Sequence, residues 1–303
     1  MMTSITITKD IDAATAITHS GTFHADEVMA TVILQRAYGN ITLCRTNKVP
    51  ENLKDDIIVY DVGFGTFDHH QNGGNGVREN GVPYAACGLI WKAFGRKIVA
   101  DTCNPELVWS IIDRDLIQGI DACDNGVIPK SSYPAQEMTF SAIISRFNPN
   151  WDSNEDSDEA FADAVAFAKI VFRNTLEDAI SKAKAQKLVE QAIEKSEGHI
   201  MVLDQFVPWQ EYIFSSTNPK AGEVQFVVYP SNRGGYHWQC VPDELGGFGQ
   251  RKTVPAEWKG LNGYNLQQVT GVDTAIFCHP AGFIGGAETF ADAYALAKKA
   301  VEA

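Results

Sequence analysis

The sequence has few cysteines, and it lacks the patterns that mark secreted or disulfide-rich proteins. Six cysteines are spread over 303 residues, and no two of them form a C-x-x-C pair. This spacing argues against a zinc ribbon or a thioredoxin-type motif, and the number is too small for a disulfide scaffold. The first twenty residues show no basic segment followed by an apolar run, so no signal peptide is predicted. We therefore expect reduced thiols and a cytoplasmic protein.

Long apolar runs and positive charge are also scarce. No stretch approaches the roughly 18 apolar residues that a membrane-spanning helix needs, so no membrane partner is expected. Lys and Arg total 25 against 38 Asp and Glu, which gives a formal net charge of -13. Such a chain repels nucleic acid unless basic residues cluster or metal ions offset the field. This argues against a duplex-DNA binder but is compatible with an enzyme that holds the end of a short strand.

The first half of the chain alternates short apolar runs with helical patterns. Strands are predicted at residues 14–18, 41–44 and 56–60, and helices at 25–38, 84–94 and 105–121. Alternation of this kind predicts an α/β domain with a parallel sheet, whose ligands gather at the carboxyl ends of the strands. A long helical pattern at about 158–198, with Gly198 as its stop, closes this domain.

The pattern changes after Gly198. Strands are predicted at residues 199–203, 224–229, 236–241 and 274–278, followed by a helix at about 288–301. Gly- and Pro-rich turns separate these strands, which is typical of a smaller α+β domain. The sequence thus predicts two domains, 1–198 and 199–303.

The first cluster of candidate metal ligands lies where the first predicted strand ends and the helix begins. It contains His19, His24 and Asp26 within the segment HSGTFHADE. Neutral imidazoles together with carboxylates suit manganese, iron, zinc or cobalt, whereas magnesium and calcium prefer oxygen ligands. The alternative is that Asp26 and Glu27 only complement the helix dipole while His24 caps the helix.

Two further clusters follow. Asp61 ends a predicted strand, and Asp68-His69-His70 comes shortly after it. Consecutive histidines point in different directions, so one can bind a metal while the other meets a substrate or orients a neighbour.

The segment IDACDNG adds Asp121 and Asp124, which share one face of a helix. Solvated charges at a helix end would explain this pair equally well, and the spacing does not decide which aspartate would be a ligand.

Five segments together resemble one known family. They are GTFHADE, FDHHQ, RENGVPYAACGLIWKAFG, IDACDNGV and HPAGFIGGAET, and the similarity runs from about Thr18 to the final helix. They are similar to the Myg (melanocyte proliferating gene) family, which is related to the DHH phosphoesterase superfamily. The superfamily's first motif reads H-x-x-x-D-x-D; here it reads His19, His24, Asp26, with one extra residue and His replacing the first Asp. Family members are described as metal-dependent hydrolases, the eukaryotic ones with 3′–5′ RNA exonuclease activity.

The resemblance implies a DHH-type catalytic domain that binds two divalent ions, with Mn²⁺ favoured and Mg²⁺, Zn²⁺, Co²⁺ or Fe²⁺ as alternatives. Asp61 would bridge the ions, and His70 would lie near the phosphate. The other implied metal ligands are His19, His24, Asp26, His69, and Asp121 or Asp124.

The implied substrate is RNA or a short oligonucleotide, cut from its 3′ end. A small-molecule phosphatase acting on pyrophosphate, a nucleotide or a cyclic dinucleotide is the alternative enzyme. A metal-binding regulatory protein without turnover is a third hypothesis, and a cysteine nucleophile at Cys123 or Cys278 is a weaker one. The oligomeric state is left open.

Several residues of the second predicted domain suit a substrate site. The candidates are Arg233, Arg251, Lys252, His279, Gly285 and Gly286. Arginine forks fit phosphate oxygens, and glycines let backbone amides approach an anion, here just before the last helix. Hairpin turns need the same glycines, which is the alternative. In the first domain, Arg78 is a candidate to neutralise charge on a phosphoryl group, and the alternative is a surface salt bridge.

Overall fold

The computed structural model describes residues 5–127, 134–135 and 137–303. The chain divides into two compact units, Met1–Ser181 and Lys182–Ala303. The division falls inside the 38-residue helix α6, Ser157–Glu194. The sequence placed the boundary at Gly198 instead, where the helical pattern ends. The difference arises because Val189 and Ile193, near the end of α6, already belong to the core of the second unit.

The first unit contains a four-stranded parallel sheet in the order β1-β3-β2-β4. Its strands are β1 (Thr6–Thr8), β2 (Ala16–Thr18), β3 (Thr42–Arg45) and β4 (Ile58–Val59). The predicted α/β class with a parallel sheet is confirmed, and β1 was not predicted. Every residue of β2 is buried, as expected for a central parallel strand.

Helices follow the strands of this unit. They are α1 (Ala25–Tyr38), α2 (Ala86–Val99), α3 (Pro105–Ile112), α4 (Gln118–Asp124), α5 (Phe140–Ile144) and α6. A π-helical stretch, Asp113–Ile117, joins α3 to α4. Helix α1 is buried continuously from Ala25 to Gln35 rather than along one stripe, so it is a core helix. Among the described residues, no helix is long and apolar enough to cross a membrane.

The second unit is built on a mixed five-stranded sheet in the order β5-β6-β7-β9-β8. The strands are β5 (Ile200–Val202), β6 (Phe226–Pro230), β7 (Tyr236–Cys240), β8 (Ala275–Cys278) and β9 (Ile284–Ala287). Only the β5–β6 pair is parallel. The helices are α7 (Gln210–Ser215), α8 (Lys220–Glu223), α9 (Gly263–Thr270) and α10 (Phe290–Glu302). One core cluster joins Trp238 to Leu266 of α9 and Leu296 of α10.

Gly285 and Gly286 do not form the expected approach to the last helix. Both lie in β9, which is paired on each side with β7 and β8, and α10 begins at Phe290 after its capping residue Thr289. A Cβ added at Gly285 would lie 2.1 Å from the Trp238 ring and 2.6 Å from the Phe277 carbonyl oxygen. The structure therefore explains Gly285 by close packing inside the sheet.

This packing predicts that Gly285→Ala destabilises the protein. The added methyl group would meet a buried indole and a backbone oxygen, and overpacking of this kind costs about 1–3 kcal/mol. Gly222→Ala is the matched control, because a Cβ there meets nothing within 4 Å; it should be neutral or stabilise by up to about 1 kcal/mol. Urea unfolding of both variants measures the difference. Equal stability of the two would contradict the packing argument.

Candidate metal centre

Acidic and imidazole side chains converge in the first unit, where β2 and β4 end and α1 begins. His19 directly follows β2, and Asp61 follows β4 after Tyr60. Asp26 and Glu27 lie in the first turn of α1, and both are fully buried. Parallel strands carry their loops to one edge of the sheet, which is why residues distant in sequence meet here.

Asp61 lies at the middle of this group. Its Oδ2 is 3.3 Å from His19 Nε2, and its Oδ1 is 3.4 Å from His69 Nε2 and 3.5 Å from His70 Nδ1. The residue has φ +55°, in the left-handed region that non-glycine residues seldom occupy. Strained backbone of this kind is concentrated at functional sites. The carboxylate thus presents one oxygen to each of two imidazole groups.

The first of these groups contains His19, His24 and Glu27, whose candidate ligand atoms lie within 4.8 Å of one another. Glu27 Oε1 is 2.8 Å from His19 Nε2 and also accepts a hydrogen bond from the His24 amide at 2.8 Å. Glu27 was not predicted as a ligand from the sequence, because the helix dipole alone explains an acidic residue in the first turn of α1. The signal it offered was its place beside Asp26, which gives carboxylates on two neighbouring faces of α1.

The second group contains Asp26, His69 and Asp124. His69 Nε2 is 3.0 Å from Asp124 Oδ2 and 4.0 Å from Asp26 Oδ2. Asp121 is close by, but its Oδ1 accepts from the Gly88 amide (2.9 Å) and its Oδ2 from Arg78 Nη1 (2.7 Å). Of the two aspartates that the sequence left open, Asp124 is therefore the one with an oxygen facing His69.

His70 differs from His69 in its surroundings. Its side chain is 55% exposed, whereas that of His69 is buried. Its Nδ1 lies 2.7 Å from Asp68 Oδ1, and Asp68 Oδ2 accepts from the Phe64 amide at 2.7 Å. The two histidines therefore point in different directions, with His70 oriented by Asp68 and open to solvent.

The first turn of α2 holds two of the buried carboxylates. Asp26 accepts from the amides of Cys87 (2.6 Å) and Ala86 (3.0 Å), and Asp121 accepts from the amide of the following residue, Gly88. Free amides and the positive end of the helix dipole stabilise anions at such a terminus. A Cβ at Gly88 would lie 1.9 Å from Asp121 Oδ2. The glycine is therefore needed for this close approach.

Arg78 is held in salt bridges, and its contact with a phosphoryl group stays a prediction. Its side chain is only 7% exposed and pairs with Asp121 and, through Nη2 at 2.8 Å, with Asp113 Oδ1. Its guanidinium also stacks on the Tyr84 ring at 4.1 Å. The salt bridges are buried rather than on the surface, and they engage the fork that was expected to contact a phosphoryl group.

The substrate candidates of the second unit lie on separate elements. Arg233 is exposed in the turn between β6 and β7, and His279 follows β8, where its Nδ1 accepts from the Ala281 amide. Arg251 donates from Nη1 to the carbonyl oxygens of Ala221 and Val224, so it fastens a turn. Lys252 is half-buried in the same segment. A substrate role for these residues stays a prediction.

The donor set fits divalent cations. Three buried atoms of the site have no hydrogen-bond partner among the described residues, namely Glu27 Oε2, Asp61 Oδ1 and His69 Nε2. The ion-pair contacts given above for these atoms are close in distance but do not have the angles of hydrogen bonds. Buried polar atoms in native proteins are rarely left without a partner, and a place for a bound ion is one reason for an exception. Mixed nitrogen and oxygen donors suit manganese, iron, zinc or cobalt.

Protons balance the carboxylates in the absence of ions. Burial alone would lower the pKa of His19, but contact with Asp61 and Glu27 raises it to about 10. Burial likewise opposes the charge on His69, but Asp124 and Asp61 raise its pKa to about 11. Burial raises the pKa values of Asp26 and Glu27. Both imidazoles are therefore in the protonated, positively charged form at neutral pH.

Metal binding should consequently release protons. A ligand imidazole must be neutral, whereas the pKa values of about 10 and 11 keep His19 and His69 protonated at pH 7. We expect at least two protons to leave per chain, and the affinity for Mn²⁺ to rise with pH because fewer protons need to be displaced. Calorimetry of Mn²⁺ binding in buffers of different ionisation enthalpy measures this release. Binding without net proton release would contradict it.

Two matched variants separate the ligand from its neighbour. Asp124→Asn should weaken Mn²⁺ binding by more than about tenfold, since it removes an anionic oxygen beside His69. Asp121→Asn should leave the affinity within a few-fold and mainly lower stability, because Arg78 then loses a buried partner. The opposite pattern would make Asp121 the ligand.

Comparison with known proteins adds the family. A family model, MYG1_exonuc, described as an uncharacterised protein family (UPF0160), matches residues 15–301. The chain is 33% identical to MYG1 protein YER156C of Saccharomyces cerevisiae, covering 93% of this chain and 94% of that protein. It is 31% identical to MYG1 protein C694.04c of Schizosaccharomyces pombe (94% and 96%) and 32% identical to the protein named MYG1 exonuclease of Mus musculus (90% and 80%). No solved structure matches. The chain belongs to the MYG1 family.

Proposed function

We propose that this protein is a metal-dependent phosphoesterase of the DHH type that removes nucleotides from the 3′ end of RNA or short oligonucleotides. The observation that carries the proposal is the position of Asp61 between two groups of ligand atoms, some of which are buried and have no hydrogen-bond partner among the residues that the structure describes. The names of several relatives, MYG1 exonuclease, support a nuclease.

The two groups would hold two divalent ions, with Mn²⁺ favoured. His19, His24 and Glu27 would bind one, His69, Asp26 and Asp124 the other, and Asp61 would contact both. Ions in such a site lower the pKa of water and neutralise charge on a phosphoryl group. The α2 amides hold the Asp26 carboxyl group in place, and Asp121 with Arg78 supports the same turn.

His70 is our candidate for proton donation. Asp68 Oδ1 lies 2.7 Å from its Nδ1 and so orients the ring. The other ring nitrogen can then donate a proton to the leaving oxygen, and the exposed side chain is accessible to a substrate.

A cavity of about 920 Å³ adjoins these residues and has the size of a ligand site. It is lined by His19, His24, Asp61 and His70 together with Asn47 and Lys48. The Lys48 ammonium would contact a substrate phosphate in this cavity, and Lys48 was not among the residues predicted from the sequence. Because the chain has a net charge of -13, repulsion limits long polyanions and favours short substrates. A small phosphoester such as pyrophosphate is therefore the second candidate.

Asp61→Asn should remove hydrolysis while the protein stays folded. Losing one partner of a metal ligand costs about 10–100-fold, and loss of a carboxylate shared by both groups should exceed the upper value. The measurement is turnover of labelled short RNA, dinucleotides and pyrophosphate with added Mn²⁺. Asp56→Asn, a change of the same kind at an exposed position before β4, is the control and should keep full activity.

Hydrolysis by Asp61→Asn at the wild-type rate would contradict the proposal. Metal binding by the wild-type protein without hydrolysis of any of the three substrates would favour a regulatory protein instead.

A further inference from the structure

A second cavity lies within the first unit, between the C-terminal half of α1 and the middle of α6. Its volume is about 630 Å³, within the range of small-molecule sites. It shares no lining residue with the cavity at the metal centre. Val32, Phe172, Leu176 and Ile180 give it an apolar wall.

Gln35 is the unexplained residue in this wall. The residue is only 6% exposed, and neither Oε1 nor Nε2 of its side chain has a hydrogen-bond partner among the described residues. An unpaired buried amide opposes folding, so such a group is normally satisfied. An amide offers one acceptor and a donor side by side, which is the arrangement that pairs with the edge of a nucleobase.

The remaining polar lining is mostly cationic. Arg36, Lys169 and Arg173 line the cavity, against one acidic residue, Glu177. This is unusual in a chain with 38 acidic and 25 basic residues. Burial lowers the pKa of the Lys169 ammonium, which indicates that its charge is partly withdrawn from water. Arginine forks suit phosphate oxygens in particular.

Ordinary helix electrostatics explain only part of this arrangement. Arg36 lies in the last turn of α1, where a cation complements the helix dipole. Arg173 and Glu177 are four residues apart on α6, which is the spacing of a helix-surface ion pair. Neither effect gives the buried amide of Gln35 a partner, so the cavity requires a further explanation.

We propose that this cavity is a nucleotide-binding site, separate from the metal centre. Gln35 pairs with the edge of the base, the apolar wall packs against the base, and Arg36, Lys169 and Arg173 bind the phosphate. The class of ligand is a nucleoside monophosphate. Binding there requires neither divalent metal nor hydrolysis, so the proposal is independent of the proposed function.

The test is a titration of the whole protein with each of the four common nucleoside monophosphates and with inorganic phosphate, in the presence of EDTA. EDTA removes divalent ions and so prevents metal-dependent binding and hydrolysis at the metal centre. We expect at least one nucleotide to bind by calorimetry and to raise the Tm, and to bind more tightly than phosphate. Arg173→Gln should weaken binding by roughly tenfold or more, the loss expected for one charge-assisted hydrogen bond, and Gln35→Leu by roughly tenfold, because it leaves the edge of the base unpaired.

Two controls separate a ligand site from a structural role. Without ligand, Gln35→Leu should keep or raise the wild-type Tm, because it replaces an unpaired amide with an apolar side chain of similar size. Arg146→Gln changes an exposed arginine that lines neither cavity and should bind like the wild type.

Three results would overturn the proposal. They are no nucleotide binding up to millimolar concentration, binding that Gln35→Leu leaves unchanged, and a large fall in the Tm of unliganded Gln35→Leu.

Discussion

Compensation of buried negative charge organises the first unit. Asp26, Glu27, Asp61, Asp68 and Asp121 are all buried within one part of the fold. Isolated carboxylates in such a place would be strongly destabilising, so each must be paired or protonated. These carboxylates are compensated by the amides at the start of α2, the guanidinium of Arg78 and the imidazoles of His19 and His69. Three buried ligand atoms still have no hydrogen-bond partner within the described part of the chain, and divalent ions would complete the balance.

The same requirement joins stability to function. Amides fix Asp26 and Asp121, and the close approach of Asp121 depends on the glycine at position 88, so these carboxylates need no cation to stay ordered. Asp61 and His69 have no such support and depend on each other or on an ion. The part of the site that would exchange protons for metal is therefore the part that the backbone does not stabilise. This separation allows the protein to stay folded before it binds metal ions.

Much of this could be predicted from the sequence. Helix α1 was predicted with the bounds that the structure has, because its capping region, apolar run and Gly39 all agree. The segments containing His19, Asp61, His69 and Asp124 were predicted to meet because each follows a strand or ends a helix. Glu27 and Arg78 show the limit of local patterns: their partners are distant in sequence, and local charge patterns explain both residues without them. The reason for Gly285 could not be read from the sequence, because a turn and a tightly packed strand both require glycine.

A crystal structure of the protein grown with Mn²⁺, with anomalous scattering recorded at the manganese edge, would locate the ions. Two peaks are expected on either side of the Asp61 carboxylate, one beside His19 and Glu27 and the other beside His69 and Asp124. Ordered manganese elsewhere in the first unit, or none near Asp61, would contradict this expectation.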